Sequence, residues 1–388
     1  MKYTWPLNTS QFSWMDRFKI ASFILSDDQW TQSKYVHKFE QEMAKYVGVD
    51  YAVFTSSGST ANTLLAMMLR DEFPDKHFVV FPTTTWITSV SPFIREGFTP
   101  HFIDINMKDL SIDLDKLETC LKENHGQVAA VFVTSLIGLT PNIERLQTLA
   151  KTYNVRIMMD NCENTLGSFR SRNVSSFFTS TTSTYFGHQI QSVEGGFVFT
   201  NKQHEYEYLL MARNHGMVRS VAPARQKVYA NQGVNPRFDF NLLGNNFRNT
   251  DINAYIGLLD FQRREKYVKH RRNLFRLFMS YLLPQEFFVF DEENGSEHVP
   301  FCLPIIFRNP MIPIKRVIEV CDTLGIETRP IISGNLLRHT CFKYWSAIAP
   351  NSDYVHRCGI YAGLHSGVTE HDVQTLASAM NILANNYD

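Results

Sequence analysis

No two cysteines in this chain are spaced Cys-x-x-Cys. Cys120, Cys162, Cys302, Cys321, Cys341 and Cys358 are widely scattered, which argues against a zinc or iron–sulfur site and leaves most of them to be read as buried, reduced thiols. Net charge is missing as well. Thirty-eight Lys and Arg balance 38 Asp and Glu, so no overall field draws the chain toward nucleic acid or an anionic membrane, although a small phosphate-bearing ligand stays open. No apolar run reaches hydrocarbon-spanning length, and the first residues, Met1-Lys-Tyr-Thr-Trp-Pro-Leu-Asn-Thr, contain no apolar signal segment. A soluble, cytoplasmic protein with neither membrane nor nucleic-acid partner is expected. Repeats and low-complexity tracts are absent too.

What is present is length and rhythm. A chain of 388 residues has material for one large domain and a smaller companion. Residues 34–47 mix apolar and charged side chains at helical intervals and stop at Gly48, after which Tyr51-Ala-Val-Phe-Thr reads as a strand. Ser56-Ser-Gly-Ser-Thr60 then turns into a helix over 61–69. Strands are expected again over 78–81, 99–104, 128–133 and 155–159, with helical intervals between several of them. That alternation predicts an α/β layer around a mostly parallel sheet. A strand over 197–200 and a helix over 205–213 follow. The stretch 220–242 loosens into Pro, Gly and Asn, as a connection over a site or interface would. One helix is expected to span much of 252–282. The large domain is placed at 1–255 and a smaller α+β domain at 256–388.

Several short segments carry chemistry. Ser56-Ser-Gly-Ser-Thr-Ala61 puts hydroxyls and a glycine just before a helix, where open N–H groups bind phosphate, or where a serine simply caps the helix. Asp160 stands at the end of a strand, within reach of a ligand at the sheet's carboxyl edge, or as a loop cap. Trp86, in Pro82-Thr-Thr-Thr-Trp-Ile87, also follows a strand, and serves either to cover a flat ring or to fill a core. The run Ser183-Thr-Tyr-Phe-Gly-His188-Gln-Ile-Gln-Ser-Val-Glu194-Gly-Gly196 places one imidazole, with a reference pKa of about 6.5, in an aromatic turn. Taken alone it reads as a packed histidine.

In this order the segments resemble the sugar-nucleotide aminotransferase family (DegT/DnrJ/EryC1/StrS), from the N-terminal helix to the C-terminal domain. The resemblance is to a branch that lacks the family's lysine. Counting five residues from the serine matched by Ser183, the amino-transferring members carry a lysine that holds pyridoxal phosphate covalently; here that position is His188. Asp160-Asn-Cys-Glu163 resembles the branch's D-N-C-E segment, where amino-transferring members commonly have a glutamine at Glu163. Arg213-Asn-His-Gly216, with Arg219 beyond it, is similar to R-A-H-G. Gly244-Asn-Asn-Phe-Arg248 is similar to G-Y-N-x-R, with Asn245 departing from the tyrosine. Arg329-Pro-Ile-Ile-Ser-Gly-Asn335 is similar to R-P-I-V-T-G-N.

The resemblance implies a fold-type-I pyridoxal-phosphate enzyme with a large three-layer α/β/α domain and a smaller C-terminal α+β domain. It implies cofactor contacts from Gly58, Ser59, Thr60 and Ser183 to phosphate, Asp160 to the ring nitrogen, Glu163 to the ring-hydroxyl side and Trp86 to the ring face. Asn246 is implied to reach the phosphate across a homodimer interface. His215, Arg219, Arg248 and Arg329 are implied to bind substrates, Arg329 taking the carboxylate of glutamate; the role of His365 stays open. The implied reaction uses glutamate to convert pyridoxal 5'-phosphate to pyridoxamine 5'-phosphate. A nucleotide-linked 4-keto-6-deoxyhexose, with GDP-4-keto-6-deoxy-D-mannose foremost, then loses its C3 hydroxyl with His188 as base, and ammonia leaves. Such a product serves surface-polysaccharide synthesis. Another nucleotide-sugar dehydratase, an aminotransferase-like enzyme, and a noncatalytic cofactor- or nucleotide-binding homologue remain as alternatives.

Overall fold

The computed structural model describes residues 3–26, 29–124, 126–293 and 295–387; Met1 and Lys2 of the N-terminal stretch lie outside them. The helix Lys34–Val47 buries Val36, Phe39, Met43, Ala44 and Val47 along one stripe and ends at Gly48, whose φ of 80° lets its N–H reach back to the Ala44 carbonyl. The chain then enters a sheet through β1 (Tyr51–Thr55), followed after the helix Gly58–Glu72 by β2 (Phe78–Pro82), β3 (Thr99–Ile103), β4 (Val128–Thr134) and β5 (Arg156–Asp160). Two short strands, β6 (Ser168–Phe169) and β7 (Arg172–Asn173), precede β8 (Thr179–Ser183) and β9 (Gly196–Thr200).

The seven long strands run in the order β1-β9-β8-β5-β4-β2-β3. Contacts β2·β3, β2·β4, β4·β5 and β5·β8 are parallel, while β9 lies antiparallel to both its neighbours. Alternate residues of each strand enter different cores: Phe81, Phe132 and Met158 pack on one face with Leu64 and Phe93, whereas Val80, Val131 and Ile157 pack on the other with Leu117 and Leu146. Both faces are covered by helices, which is why these strands read as unbroken apolar runs.

The C-terminal part repeats the logic at smaller scale. After a short β10 (Ser296–Glu297), strands β11 (Cys302–Ile306), β12 (Thr328–Pro330) and β13 (Gly359–Gly363) form an antiparallel sheet in the order β11-β13-β12. It shares a core with the helices Arg264–Tyr281 and Glu370–Asn385. Trp5 bridges to Ile326, and its indole Nε1 donates to the Gly363 carbonyl at 2.9 Å, so the N-terminal segment is stitched to this sheet.

The single helix expected over 252–282 is two, Asp251–Phe261 and Arg264–Tyr281. The first packs on the helix Lys34–Val47 and the second on Glu370–Asn385. Arg263, at the break, pairs with Asp16 and with Asp260. Neither Gly nor Pro marks the bend, so only the two packing partners reveal it. Among the described residues no helix is long and apolar enough to cross a membrane.

Candidate active site

The carboxyl ends of the parallel strands open into a cavity of about 680 Å³, walled on its far side by the C-terminal part. One wall is the start of the helix Gly58–Glu72. Ser57 Oγ accepts from the Thr60 amide at 3.1 Å and Thr60 Oγ1 accepts from the Ser57 amide at 3.0 Å, a closed capping box. The Gly58 and Ser59 amides remain as donors at the positive end of the helix. A Cβ on Gly58 would lie 2.9 Å from both Cys162 Sγ and Ser183 Cβ, so the turn fits against the neighbouring strand ends only as glycine. Ser183 ends β8 at this edge, and its Oγ accepts from the Tyr185 amide at 3.2 Å. Thr60 is not part of the wall; its hydroxyl is taken up by the capping box.

Two carboxylates face the same space in unlike surroundings. Buried Asp160, last residue of β5, accepts from Asn62 Nδ2 (2.9 Å), Ser89 Oγ (2.7 Å) and the Cys162 amide (3.0 Å). These three donors compensate an anion in a dry setting. Glu163 accepts from the Ile137 amide at 2.7 Å. Burial pushes its carboxyl up to about 8, against that hydrogen bond and helped by the nearby Asp160 charge. Glu163 is therefore largely a neutral acid at pH 7.

His188 lines the same cavity, near the Cys162 backbone between these two carboxyls. Its Nδ1 is buried with no partner, and its ring packs on Phe301 with centroids 5.4 Å apart. Burial draws the imidazole down to about 4, with the Arg271 guanidinium pushing the same way and Asp160 opposing. A titration near the reference value was expected; the low-dielectric wall overrides it, and His188 stands neutral, as a base, at pH 7. Among the described residues lining the cavity there is no lysine.

Trp86 lines the mouth with half its surface exposed. Arg329 also lines it, but its guanidinium is shared: Nη2 pairs with Glu327 at 2.7 Å and Nη1 donates to the Thr328 carbonyl at 3.0 Å. Four other candidates lie outside this cavity. His215, at φ 61°, and Asn246 belong to neighbouring segments bridged at Asn214 and Asn246; Arg248 Nε donates to Asn246 Oδ1 at 2.9 Å, and exposed Arg219 rests over the Phe238 ring. His365 is buried elsewhere, its Nδ1 accepting from the Gly367 amide at 3.1 Å. Sequence reasoning missed Asn62 and Ser89, which hold Asp160, and Arg271, Phe301 and Tyr361, which the C-terminal part contributes. A buried Asn at the fifth position of a helix was the one local signal for Asn62.

A family model matches residues 15–381 of this chain. The chain belongs to the DegT/DnrJ/EryC1/StrS aminotransferase family. Its large α/β/α domain and small α+β domain are the fold-type-I architecture expected of a DegT-family chain. It is 27% identical to GDP-4-keto-6-deoxy-D-mannose 3-dehydratase of Escherichia coli O55:H7, over 93% of this chain and 95% of the relative. Among solved structures it is similar to E. coli GDP-4-keto-6-deoxy-D-mannose-3-dehydratase with bound hydrated PLP, at TM-score 0.90 and 25% identity, covering 98% of this chain and 100% of that one. It is also similar to GDP-4-keto-6-deoxymannose-3-dehydratase with a trapped PLP-glutamate geminal diamine, at TM-score 0.89 and 25% identity, covering 97% and 100%.

Proposed function

We propose that this chain is a pyridoxal-phosphate-dependent sugar-nucleotide 3-dehydratase that acts on GDP-4-keto-6-deoxy-D-mannose, with glutamate as amino donor. The observation that carries the reading is a neutral, buried imidazole at His188 in a cavity that already holds Asp160 and an open helix start, and that no lysine lines among the described residues. The residues present fit the cofactor. An unpartnered, buried Nδ1 on His188 and a glycine at Gly58 that no larger residue replaces mark a cradle for a flat, phosphorylated ligand.

The Gly58 and Ser59 amides with the Ser183 hydroxyl hold the phosphate, and Thr60 acts by fixing their turn. Asp160, held by its three donors, would face the ring nitrogen; Trp86 would cover the ring; neutral Glu163 would donate toward the ring oxygen. The cofactor, when bound and aminated by glutamate, supplies an electron sink that lets the sugar's C3–O bond break. His188 takes up the proton released in that step and, once protonated, returns it to the departing hydroxyl. An imidazole cannot replace the lysine amine in capturing the cofactor aldehyde, so ammonia and a 4-keto-3,6-dideoxyhexose would be the products, with glutamate, the electron source, leaving as 2-oxoglutarate. Arg329 receives glutamate's carboxylate by exchanging it for Glu327.

His215, Arg219, Asn246 and Arg248 complete the site from a second copy in a homodimer, Asn246 at the phosphate and the others at the sugar nucleotide. The protein acts in the cytoplasm, in dideoxysugar supply for a lipopolysaccharide O-antigen. The test supplies GDP-4-keto-6-deoxy-D-mannose, pyridoxal phosphate and glutamate, and follows loss of the C3 hydroxyl together with ammonia. An aminated sugar formed without dehydration sinks the proposal. For the dimer, Asp160→Asn and Asn246→Ala chains mixed in one solution regain activity if the two residues serve different copies' sites.

A further inference from the structure

Arg271 belongs to none of the segments that carry the family resemblance. It sits in the helix Arg264–Tyr281, is 4% exposed, and reaches the cavity wall. Taking a guanidinium out of water costs several kcal/mol unless its hydrogen bonds repay it. Here Nη1 donates to the carbonyls of Pro300 at 3.0 Å and of Phe301 at 2.9 Å. The same turn is held from two more sides: Gln189 Nε2 donates to the Val299 carbonyl at 2.5 Å, and the Phe301 amide donates to the Ile137 carbonyl at 2.8 Å. Gly138 passes so close that a Cβ there would lie 2.1 Å from the Val299 oxygen. What this fixed turn presents to the cavity is the Phe301 ring, packed on His188.

We propose that Arg271 is a positioning residue for proton transfer at His188, fixing residues 299–301 so that Phe301 holds the imidazole in one orientation and keeps water off it. The guanidinium also acts through its charge, since a fixed cation nearby disfavours protonation of the ring. The other titratable groups of the cavity are Asp160, Glu163 and Cys162 at the β5 end, Tyr185 and Glu194 near it in sequence, and Cys302, Glu327, Arg329 and Tyr361 from the C-terminal part. Asp160 attracts the proton, and neutral Glu163 and the thiols, held protonated by burial, leave Arg271 as the opposing charge.

The proposal rests on His188 being the base, and its test separates the two. The holoenzyme is compared with Arg271→Met, Arg271→Lys and Phe301→Leu. The His188 midpoint is read by NMR of labelled histidine without sugar nucleotide, and kcat and KM are read for dehydration. Arg271→Met is expected to raise the His188 midpoint and to lower kcat at least tenfold with KM within twofold. Arg271→Lys keeps the charge and the midpoint but restores only part of kcat, because its flexible stem ends in a point charge that lacks the planar guanidinium's fixed aim at the two carbonyls. Phe301→Leu lowers kcat with Arg271 intact. An unmoved midpoint with undiminished kcat in Arg271→Met overturns the proposal, as does full kcat in Phe301→Leu, which decides the matter should Arg271→Met fail to fold. Absence of dehydration by the wild type is a separate result that refutes the reaction and leaves the midpoint shift to be read.

Discussion

His188→Asn removes the one side chain whose protonation state the cavity changes most toward acid, and the consequence is measurable without substrate. The folded imidazole lies at about 4 and the unfolded one at the ordinary 6.5. Between those values the unfolded chain binds the proton that the folded chain refuses. Stability is therefore fully present above about pH 6.5 and is lost as pH falls toward 4. Applying linkage to these two values gives a loss of about 2 kcal/mol between pH 7 and pH 5 from this group alone. That is an upper bound, because the ring lines a cavity that solvent enters. Urea unfolding of wild type and His188→Asn at pH 7, 6 and 5 reads the difference, and all other titrating groups cancel in it. The variant is expected to lose up to about 2 kcal/mol less than the wild type over that range. Parallel stability curves would refute a buried, neutral imidazole, and with it the reading of His188 as a base throughout the working pH range. Dehydration by the variant should fall by about 10²- to 10⁴-fold, the usual worth of a general base.

The opposite sign applies at Glu163. Its folded value, about 8, lies above the unfolded one, so its share of stability is complete below about pH 4.5 and disappears as pH rises through 8; Glu163→Gln should flatten that alkaline decline in urea titrations, and an unchanged decline counts against a neutral acid here. Asp160→Asn keeps the shape but removes the anion held by Asn62, Ser89 and the Cys162 amide; pyridoxal phosphate should bind at least tenfold more weakly by absorbance titration, while wild-type affinity would move the ring nitrogen elsewhere. Gly138→Ala puts a Cβ 2.1 Å from the Val299 carbonyl at a φ of 82°, and should cost more than about 2 kcal/mol by thermal or urea unfolding. A neutral result would mean that residues 299–301 are free to move away.

How much of this was legible depended on where each residue's partners lie. Strands such as Val128–Thr134, buried along their whole length, announce themselves as apolar runs, and the helix Lys34–Val47 is bounded by its own glycine. β8 escaped because Thr179-Ser-Thr-Thr-Ser183 contains no apolar residue, yet it lies inside the sheet, between β9 and β5. Several of its hydroxyls find partners, Thr179 Oγ1 donating to Glu205 at 2.7 Å, Ser180 Oγ to the Ser175 carbonyl at 2.9 Å and Thr181 Oγ1 to Asn62 Oδ1 at 2.6 Å, while that of Thr182 is buried without one. Only its β-branched threonines hinted at a strand.

The site divides in the same way. Asp160 and the Gly58 turn were readable as a strand end and a helix start, where local geometry left a cap and a ligand contact both open and the family resemblance chose between them. Glu163 and His188 were readable as positions but not as acids and bases, since their protonation follows from walls supplied from far along the chain. Ile137 shows the difference most sharply. Nothing in Leu136-Ile-Gly138 marks a functional turn, and a β-branched residue at φ 50°, ψ 19° is costly. Its amide nevertheless reaches Glu163 while its carbonyl receives the Phe301 amide. One strained residue thus joins the candidate acid to the turn that packs on the candidate base. Ile137 itself is fully buried and holds both hydrogen bonds, so relaxing it would release the carboxyl and the phenyl ring together.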